Sequence, residues 1–248
     1  MKCLVLAAGY ATRLYPLTEN FPKPLLEVKD KTILDWLLED IDRYNFIDEY
    51  IVVSNHKFVS HFENWANKNA LKDKLVVIDD GTSSNDTRLG AVADIELAIE
   101  KLGIDDDLMV IAGDNVLDFS FGCFMNYFND KKHTCIMRYY EPNLEKIKKS
   151  AAVCFDENDL VSSMIEKPAE PNSNWCVPPF YIYSKDDVKR VREALDNGCN
   201  KDAPGSFISW LYDKSPVYAM KMPGKRYDIG NLESYKSVCE NYNGIVHE

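Results

Sequence analysis

A chain of 248 residues with 46% hydrophobic and 28% charged residues has the make-up of an ordinary globular protein, long enough to bury a full core. Its formal net charge of −11 argues against a general nucleic-acid binder, which needs lysine and arginine to neutralise phosphates, so any phosphate site has to be local. Seven scattered cysteines form no C-x-x-C pair and signal neither a zinc site nor a disulfide framework, and the apolar run at 3–8 is too short for a signal peptide or a membrane span.

In chain order, residues 2–8 read as a strand buried on both faces, and "TILDWLLEDIDRY" (32–44) as a helix with Ile33, Leu34, Leu37, Leu38 and Ile41 at helical spacing. "EYIVVSN" (49–55) is a second strand, "HKFVSHFENWANKN" (56–69) a second helix with Phe58, Val59, Phe62 and Trp65 on one stripe, and "KLVVID" (74–79) a third strand. "RLGAVADIELAIEKLG" (88–103) gives a third helix and "DLMVIAGDN" (107–115) a fourth strand ending in turn residues. This alternation implies βαβ crossovers and a mainly parallel sheet, with ligands expected outside the carboxyl ends of the strands.

After Asn115 the rhythm changes to short strand candidates: "HTCIMRYY", "AAVCFD", "LVSSMIEK", "WCVPPFYIYS", "SPVYAMKM" and "KRYD". Helices are clear only near "SKDDVKRVREAL", "GSFISWLYDK" and "LESYKSVCENY". With no repeat and no Gly-, Ser- or Pro-rich linker, one domain over 1–248 is expected, with residues 1–115 and 116–248 as its two halves.

The chemistry starts at "LVLAAGYATRLYPLTENFPKPLL" (4–26). Gly9 among the small Ala7, Ala8 and Ala11 lets backbone N–H groups approach a phosphate. Arg13 supplies a forked cation and Lys23 a point charge held in a stiff segment by Pro22 and Pro24. A connecting loop with solvated charges accounts for the glycine turn equally well, though not for a lysine between two prolines. The G-x-G-x-x-G and G-x-x-x-x-G-K-[ST] patterns are both absent. Asp114 alone could be a turn residue, Asp228 a helix-proximal cap, and Glu166 with Lys167 an exposed pair of opposite charge.

The opening stretch closely resembles the signature of the nucleotidylyltransferases that join a nucleoside triphosphate to a sugar 1-phosphate, and "IAGDN" (111–115), "IEKPAEPNSNWCV" (165–177) and "YDIGNLESY" (227–235) resemble that family's later motifs in order. The resemblance is to the short, glucose-1-phosphate thymidylyltransferase-like form, and no C-terminal β-helix domain is expected. The resemblance implies an α/β, Rossmann-like three-layer fold with a mainly parallel mixed central sheet. It also implies a nucleoside triphosphate and a phosphorylated small-molecule acceptor as partners. Leu6, Ala7, Ala8 and Gly9 would bind substrate, Arg13 the β and γ phosphates, and Lys23 the α-phosphate. Asp114 and Asp228 would hold one Mg²⁺, Glu166 and Lys167 the sugar and its phosphate, and Asn85 with Gly90 the base. None of His56, His61, His133 or His247 is given a role.

The nucleotide half follows the family pattern; the acceptor half departs from it. Ala11 replaces a second glycine, Pro178 and Pro179 replace a threonine and a glycine of "V-T-G-x-Y", Ala151 replaces a glycine, and "NKDAPGSFISW" replaces an acidic stretch. Three readings follow: a sugar-1-phosphate enzyme, a cytidylyltransferase for a non-sugar acceptor such as an alcohol phosphate, and a non-catalytic nucleotide-binding homologue. Neither a nucleic acid nor a membrane is an expected partner, and a cytoplasmic location is expected. Tyr235, Val238 and Tyr242 could pack on a second subunit of a homo-oligomer as well as on their own core.

Overall fold

A computed structural model of the chain describes residues 1–247. The first half holds β1 (Lys2–Leu6), β2 (Glu27–Val28), β3 (Lys31–Thr32), α1 (Ile33–Asp42), β4 (Glu49–Ser54), α2 (Val59–Ala66), β5 (Leu75–Asp79), α3 (Ala91–Leu102), β6 (Leu108–Ala112) and β7 (Asn115–Leu117). There follow α4 (Gly122–Lys131), β8 (Thr134–Tyr140), α5 (Leu144–Ile147), β9 (Ala151–Phe155), β10 (Val161–Glu166), β11 (Trp175–Val177) and β12 (Phe180–Tyr183). The last elements are α6 (Lys185–Val188), α7 (Val191–Asp196), α8 (Gly205–Leu211), β13 (Val217–Lys221), β14 (Arg226–Asp228) and α9 (Leu232–Asn241).

The chain forms two compact units, one of Met1–Arg88, Ala112–Cys123 and Pro223–Glu248 and the other of Leu89–Ile111 and Phe124–Met222. In the first unit β4 lies between β1 and β5, all parallel, with Leu4 opposite Ile51 and Ile51 opposite Val76. The alternation of strand and helix read from the sequence is therefore realised here, and the fully buried Cys3, Leu4, Val5, Ile51 and Val52 explain why these strands read as unbroken apolar runs. Helix α1 starts where Thr32 accepts a hydrogen bond from the Asp35 amide while the Asp35 carboxylate takes one from Thr32 N–H, and all five of its stripe residues are fully buried.

The C-terminal helix α9 opens with an equivalent box between Asn231 and Ser234. Its Val238, with Tyr242 just beyond the helix, joins Leu14, Val28, Ile33 and Val116 in one apolar cluster, and Tyr235 donates its hydroxyl to the Glu27 carbonyl at 2.7 Å. The aromatic residues weighed as a subunit contact thus pack within their own unit.

The second unit runs β10, β9, β11, β8, β12, β6 across its sheet, antiparallel at each of these pairs, with β13 parallel to β8. Parallel strands in the first unit and mainly antiparallel ones in the second, each with flanking helices, give the mixed α/β class that the sequence implies. Three local differences have physical reasons. "WCVPPFYIYS" breaks into β11 and β12 because Pro178 and Pro179 offer no N–H to a ladder. The helix read at 184–195 divides into α6 and α7, since the buried Asp187 carboxylate is drawn inward by the Thr134 and Ser184 hydroxyls and the Arg190 N–H closes a tight turn on Asp187 O. Helix α4 carries few strong helix formers and forms because Phe124, Met125 and Phe128 are buried.

No helix among the described residues is long and apolar enough to cross a membrane. Thr32→Ala removes the α1 cap and is expected to cost about 1 kcal/mol of stability, read as a lower urea midpoint at unchanged slope.

Candidate functional site

In the first unit the segment after β1 is held from beneath. Ala7 N–H donates to Val53 O at 2.9 Å, the fully buried Asn55 donates its amide to Ala8 O at 2.9 Å, and Tyr10 OH reaches Thr82 O at 3.1 Å. Leu6 and Ala8 are half-buried, Ala7 is buried, and Gly9 is exposed. A Cβ built on Gly9 meets nothing within 4 Å, so no protein packing requires this glycine, and its open surface is where a ligand can approach the backbone.

Ala11 sits at φ 46°, a left-handed conformation that glycine adopts freely and alanine only at a cost, held by the Thr18 hydroxyl on Ala11 O at 2.8 Å. Arg13 follows in a short turn (Thr12–Leu14), exposed and without an ion pair among the described residues.

Lys23 begins a second short turn (Lys23–Leu25), closed by Leu25 N–H on Pro22 O and Leu26 N–H on Lys23 O. The turn buries the residue to 7% exposure, and its ammonium donates to Asp114 Oδ2 at 2.8 Å. Burial works to raise the Asp114 pKa, but the charge and hydrogen bond of Lys23 and the charge of Arg226 outweigh it and hold the carboxyl below its ordinary range.

The other Asp114 oxygen accepts from Asn115 Nδ2 at 2.8 Å, and Asn115 Oδ1 in turn accepts from Arg226 at 2.7 Å. Arg226 belongs to β14, whose antiparallel pairing with β7 places Asp228 opposite Asn115, the neighbour of Asp114. The two-stranded ladder therefore brings Asp228 opposite the residue that follows Asp114 in the chain. Arg226 carries no motif signal and Asn115 only its place at the end of "IAGDN", because the bond that makes them matter joins distant stretches of chain.

Among the described residues no cluster of three or more His, Cys, Asp or Glu side chains could hold a metal by itself. The Asp114 and Asp228 pair is instead an all-oxygen, partly exposed donor set, which fits a hard divalent cation that completes its shell with phosphate oxygens and water. Asn85 is exposed in a turn at Asn85–Thr87.

In the second unit, Ala151 is paired with Glu166 on one side and Val177 on the other, so the ends of β9, β10 and β11 and the Pro178–Pro179 step come together. Lys167 stands at φ 48°, a strained backbone for a side-chain-bearing residue, with its N–H on Ser150 O at 3.1 Å. Glu166 and Lys167 line a cavity of about 510 Å³, walled by the turn at 197–203 and by Ser206, Ser209 and Trp210. No described residue hydrogen-bonds the Glu166 carboxylate; burial raises its pKa, opposed by the charge of Lys167.

The cavity wall is fixed through Gly90 (φ 102°), where a Cβ would lie 2.5 Å from Lys201 O. Only glycine admits that backbone, which Val92 N–H also binds at 2.9 Å. The close approach at Gly90 is thus made by the chain's own residues Lys201 and Asp202.

The chain belongs to the Nucleotidyl transferase family, whose sequence profile matches residues 2–244. It is 24% identical over 95% of its length to a UTP–glucose-1-phosphate uridylyltransferase of Synechocystis, and 26% identical over 94% to a UTP–glucose-1-phosphate uridylyltransferase AglF of Haloferax volcanii. It spans 61% of the first and 93% of the second, and 60% of a Drosophila melanogaster mannose-1-phosphate guanylyltransferase catalytic subunit beta to which it is 26% identical. A UDP-glucose pyrophosphorylase solved with UDP-glucose superposes with a TM-score of 0.81 at 23% identity, each chain covered to 97%. A UTP-bound UGPase of Acinetobacter baumannii gives 0.77 at 19% identity, covering 97% of this chain and 92% of that one. At such identities the structures establish a shared fold.

A raised Glu166 pKa means that the folded chain holds a proton the unfolded one has lost, so this group's contribution to stability falls as pH rises from the ordinary value of 4.5 through the folded value. Glu166→Gln is expected to remove that component and leave the fold at least as stable near neutral pH. Thermal melts from about pH 5 to pH 8 check it, and a lower melting temperature of the variant across that range would contradict it.

Proposed function

We propose that the chain is a nucleotidylyltransferase that couples a nucleoside triphosphate to a sugar 1-phosphate and releases pyrophosphate, with Mg²⁺ as its divalent cation. The Lys23–Asp114 pair carries this reading. Lys23 is nearly buried and spends one of its three N–H donors on Asp114, leaving the other two without a described partner, as a group poised for an incoming anion would be. Uridylyl and guanylyl transfer to glucose and mannose phosphates by the relatives supports the same chemistry.

In the reaction, an oxygen of the acceptor phosphate forms a bond to the α-phosphorus of the nucleotide while the bond from that phosphorus to the β-phosphate oxygen breaks, and pyrophosphate departs with the electron pair. Arg13 would hold the β and γ phosphates, and Lys23 would stabilise charge gathering on the α-phosphate. Asp114 and Asp228 would hold the cation, which when bound neutralises charge on phosphate oxygens. Backbone N–H groups of Ala8 and Gly9 would orient the triphosphate, and Glu166 and Lys167 would orient the acceptor.

The acceptor phosphate is ionised at neutral pH, so no general base is needed. Consistently, His56 pairs with Asp79 at 2.6 Å, His247 with Asp40 at 3.2 Å, and His61 packs edge-on against Phe21. Free cysteines and a nucleotide substrate fit a cytoplasmic place of action.

Pyrophosphate release with Mg²⁺, a set of nucleoside triphosphates and hexose 1-phosphates tests the proposal; release that EDTA abolishes is the expected result, and silence with all acceptors would overturn it. Asp228→Asn is expected to lower kcat by about a hundredfold or more without changing the melting temperature. Lys23→Ala should lower kcat more than it raises KM for the nucleotide, because its charge matters most in the transition state; a defect confined to KM would contradict that role.

A further inference from the structure

In the first unit the turn that follows β1 is held by its carbonyls, and that decides where its N–H groups point. In a planar trans peptide the C=O and the following N–H project in opposite directions, so a donor that captures the carbonyl aims the N–H away from itself. Two fully buried side chains act in this way. Asn55 donates its amide to Ala8 O at 2.9 Å while its own side-chain oxygen accepts from Phe58 N–H at 3.0 Å, which locks the amide at both ends. Thr18 donates its hydroxyl to Ala11 O at 2.8 Å. The N–H groups in the same two peptides are those of Gly9 and Thr12, both exposed residues, and no described residue accepts from either.

Ala11 makes the second of these anchors the critical one. It replaces a glycine of the opening pattern and stands at φ 46°, ψ 41°, where a Cβ crowds the following carbonyl oxygen. Its methyl packs against the apolar cluster that holds Leu14, and its carbonyl accepts from Leu14 N–H at 2.9 Å as well as from Thr18. The Leu14 bond closes the short turn from within, through the dihedrals of Thr12 and Arg13, and leaves those of Ala11 free. On the other side, Tyr10 is tied by its hydroxyl to Thr82 O at 3.1 Å. Thr18 fixes the peptide after Ala11 to buried chain, and with Tyr10 held the dihedrals of Ala11 are set between two anchors.

We propose that Thr18 is a positioning residue for the triphosphate: its hydroxyl holds Ala11 in the left-handed conformation, so that the Thr12 N–H, with that of Gly9, is turned outward for phosphate oxygens before the nucleotide arrives. This rests on the nucleotidyl-transfer reading given above, and it adds the Thr12 N–H and the group that aims it. An alanine released from the clamp relaxes to a negative φ, which swings the 11–12 peptide and takes its N–H out of the site; glycine at the same position has no such preference. Apparent affinity then falls with the fraction of molecules whose turn is competent.

The test is calorimetric titration of ATP, CTP, GTP, UTP and dTTP with Mg²⁺ into the wild-type chain, then of the strongest binder into Thr18→Val, Thr18→Ser, Ala11→Gly and the double variant Ala11→Gly/Thr18→Val. Valine keeps the shape and loses the donor; serine keeps the donor. Affinity is expected to fall roughly tenfold in Thr18→Val, to stay within about threefold of wild type in Thr18→Ser, and to fall by less when Thr18→Val is made in the Ala11→Gly background. A merely structural threonine would lower the melting temperature and leave affinity alone, or cost the same affinity in both backgrounds. Either result would overturn the role of Thr18 with the nucleotide reading intact. Amide hydrogen exchange on the unaltered chain needs no variant to fold: the Gly9 and Thr12 N–H groups should exchange rapidly alone and become protected when Mg²⁺ and the nucleotide bind. Unchanged exchange at Thr12 would overturn the proposal, and a wild-type chain that binds none of these triphosphates would overturn the nucleotidyl-transfer reading itself.

Discussion

The ion pair between Lys23 and Asp114 is the interaction on which the arrangement of charged side chains in the first unit depends. A lysine at 7% exposure keeps its charge only if an anion compensates the lost hydration, and Asp114 at 2.8 Å provides it. The carboxylate is less than half exposed, so the pair is a partly open one. Pro22 and Pro24 set the lysine in a short turn whose two backbone hydrogen bonds leave its side chain little choice of direction. From this pair the support spreads outward: Asn115 turns the second Asp114 oxygen, Arg226 turns Asn115, and the β7–β14 ladder that carries Arg226 also delivers Asp228.

Taken separately, the two units hold different sets of polar groups. The first holds Lys23 paired with Asp114, the exposed Arg13 and open space at Gly9. The second holds Glu166, Asp202, Lys167 and neutral polar groups around a cavity. Strain marks both places: Ala11 and Lys167 adopt left-handed backbone that their side chains disfavour, and each stands beside residues assigned to substrate. Glu166 shows the same trade in electrostatic form, a carboxylate held where burial opposes its charge.

Glycines separate structural from functional demands. Gly90 and Gly205 are needed by the protein itself, one to admit the Lys201 backbone and the other to make room for Glu166, whereas Gly9 has open space where its side chain would be. Sequence patterns treat the three alike. The difference lies in what surrounds them, and Gly205 in particular acquires meaning only through its contact with the end of β10.

The sequence by itself determined the alternation of strands and helices in the first half, the buried stripe of α1, and the opening motif with Arg13 and Lys23, because these are local properties of spacing, volume and backbone restriction. It named Asp114, Asp228, Glu166 and Lys167 through motif resemblance, without the means to say what stands next to them. Tertiary structure alone decided that Asp228 stands opposite Asn115, that Asn115 and Arg226 hold Asp114, and that Gly90 faces the 201–202 backbone. Each of these depends on strand register or on close packing between stretches far apart in the chain. Periodicity and propensity describe one stretch at a time, and so they carry no record of which distant stretch will be its neighbour.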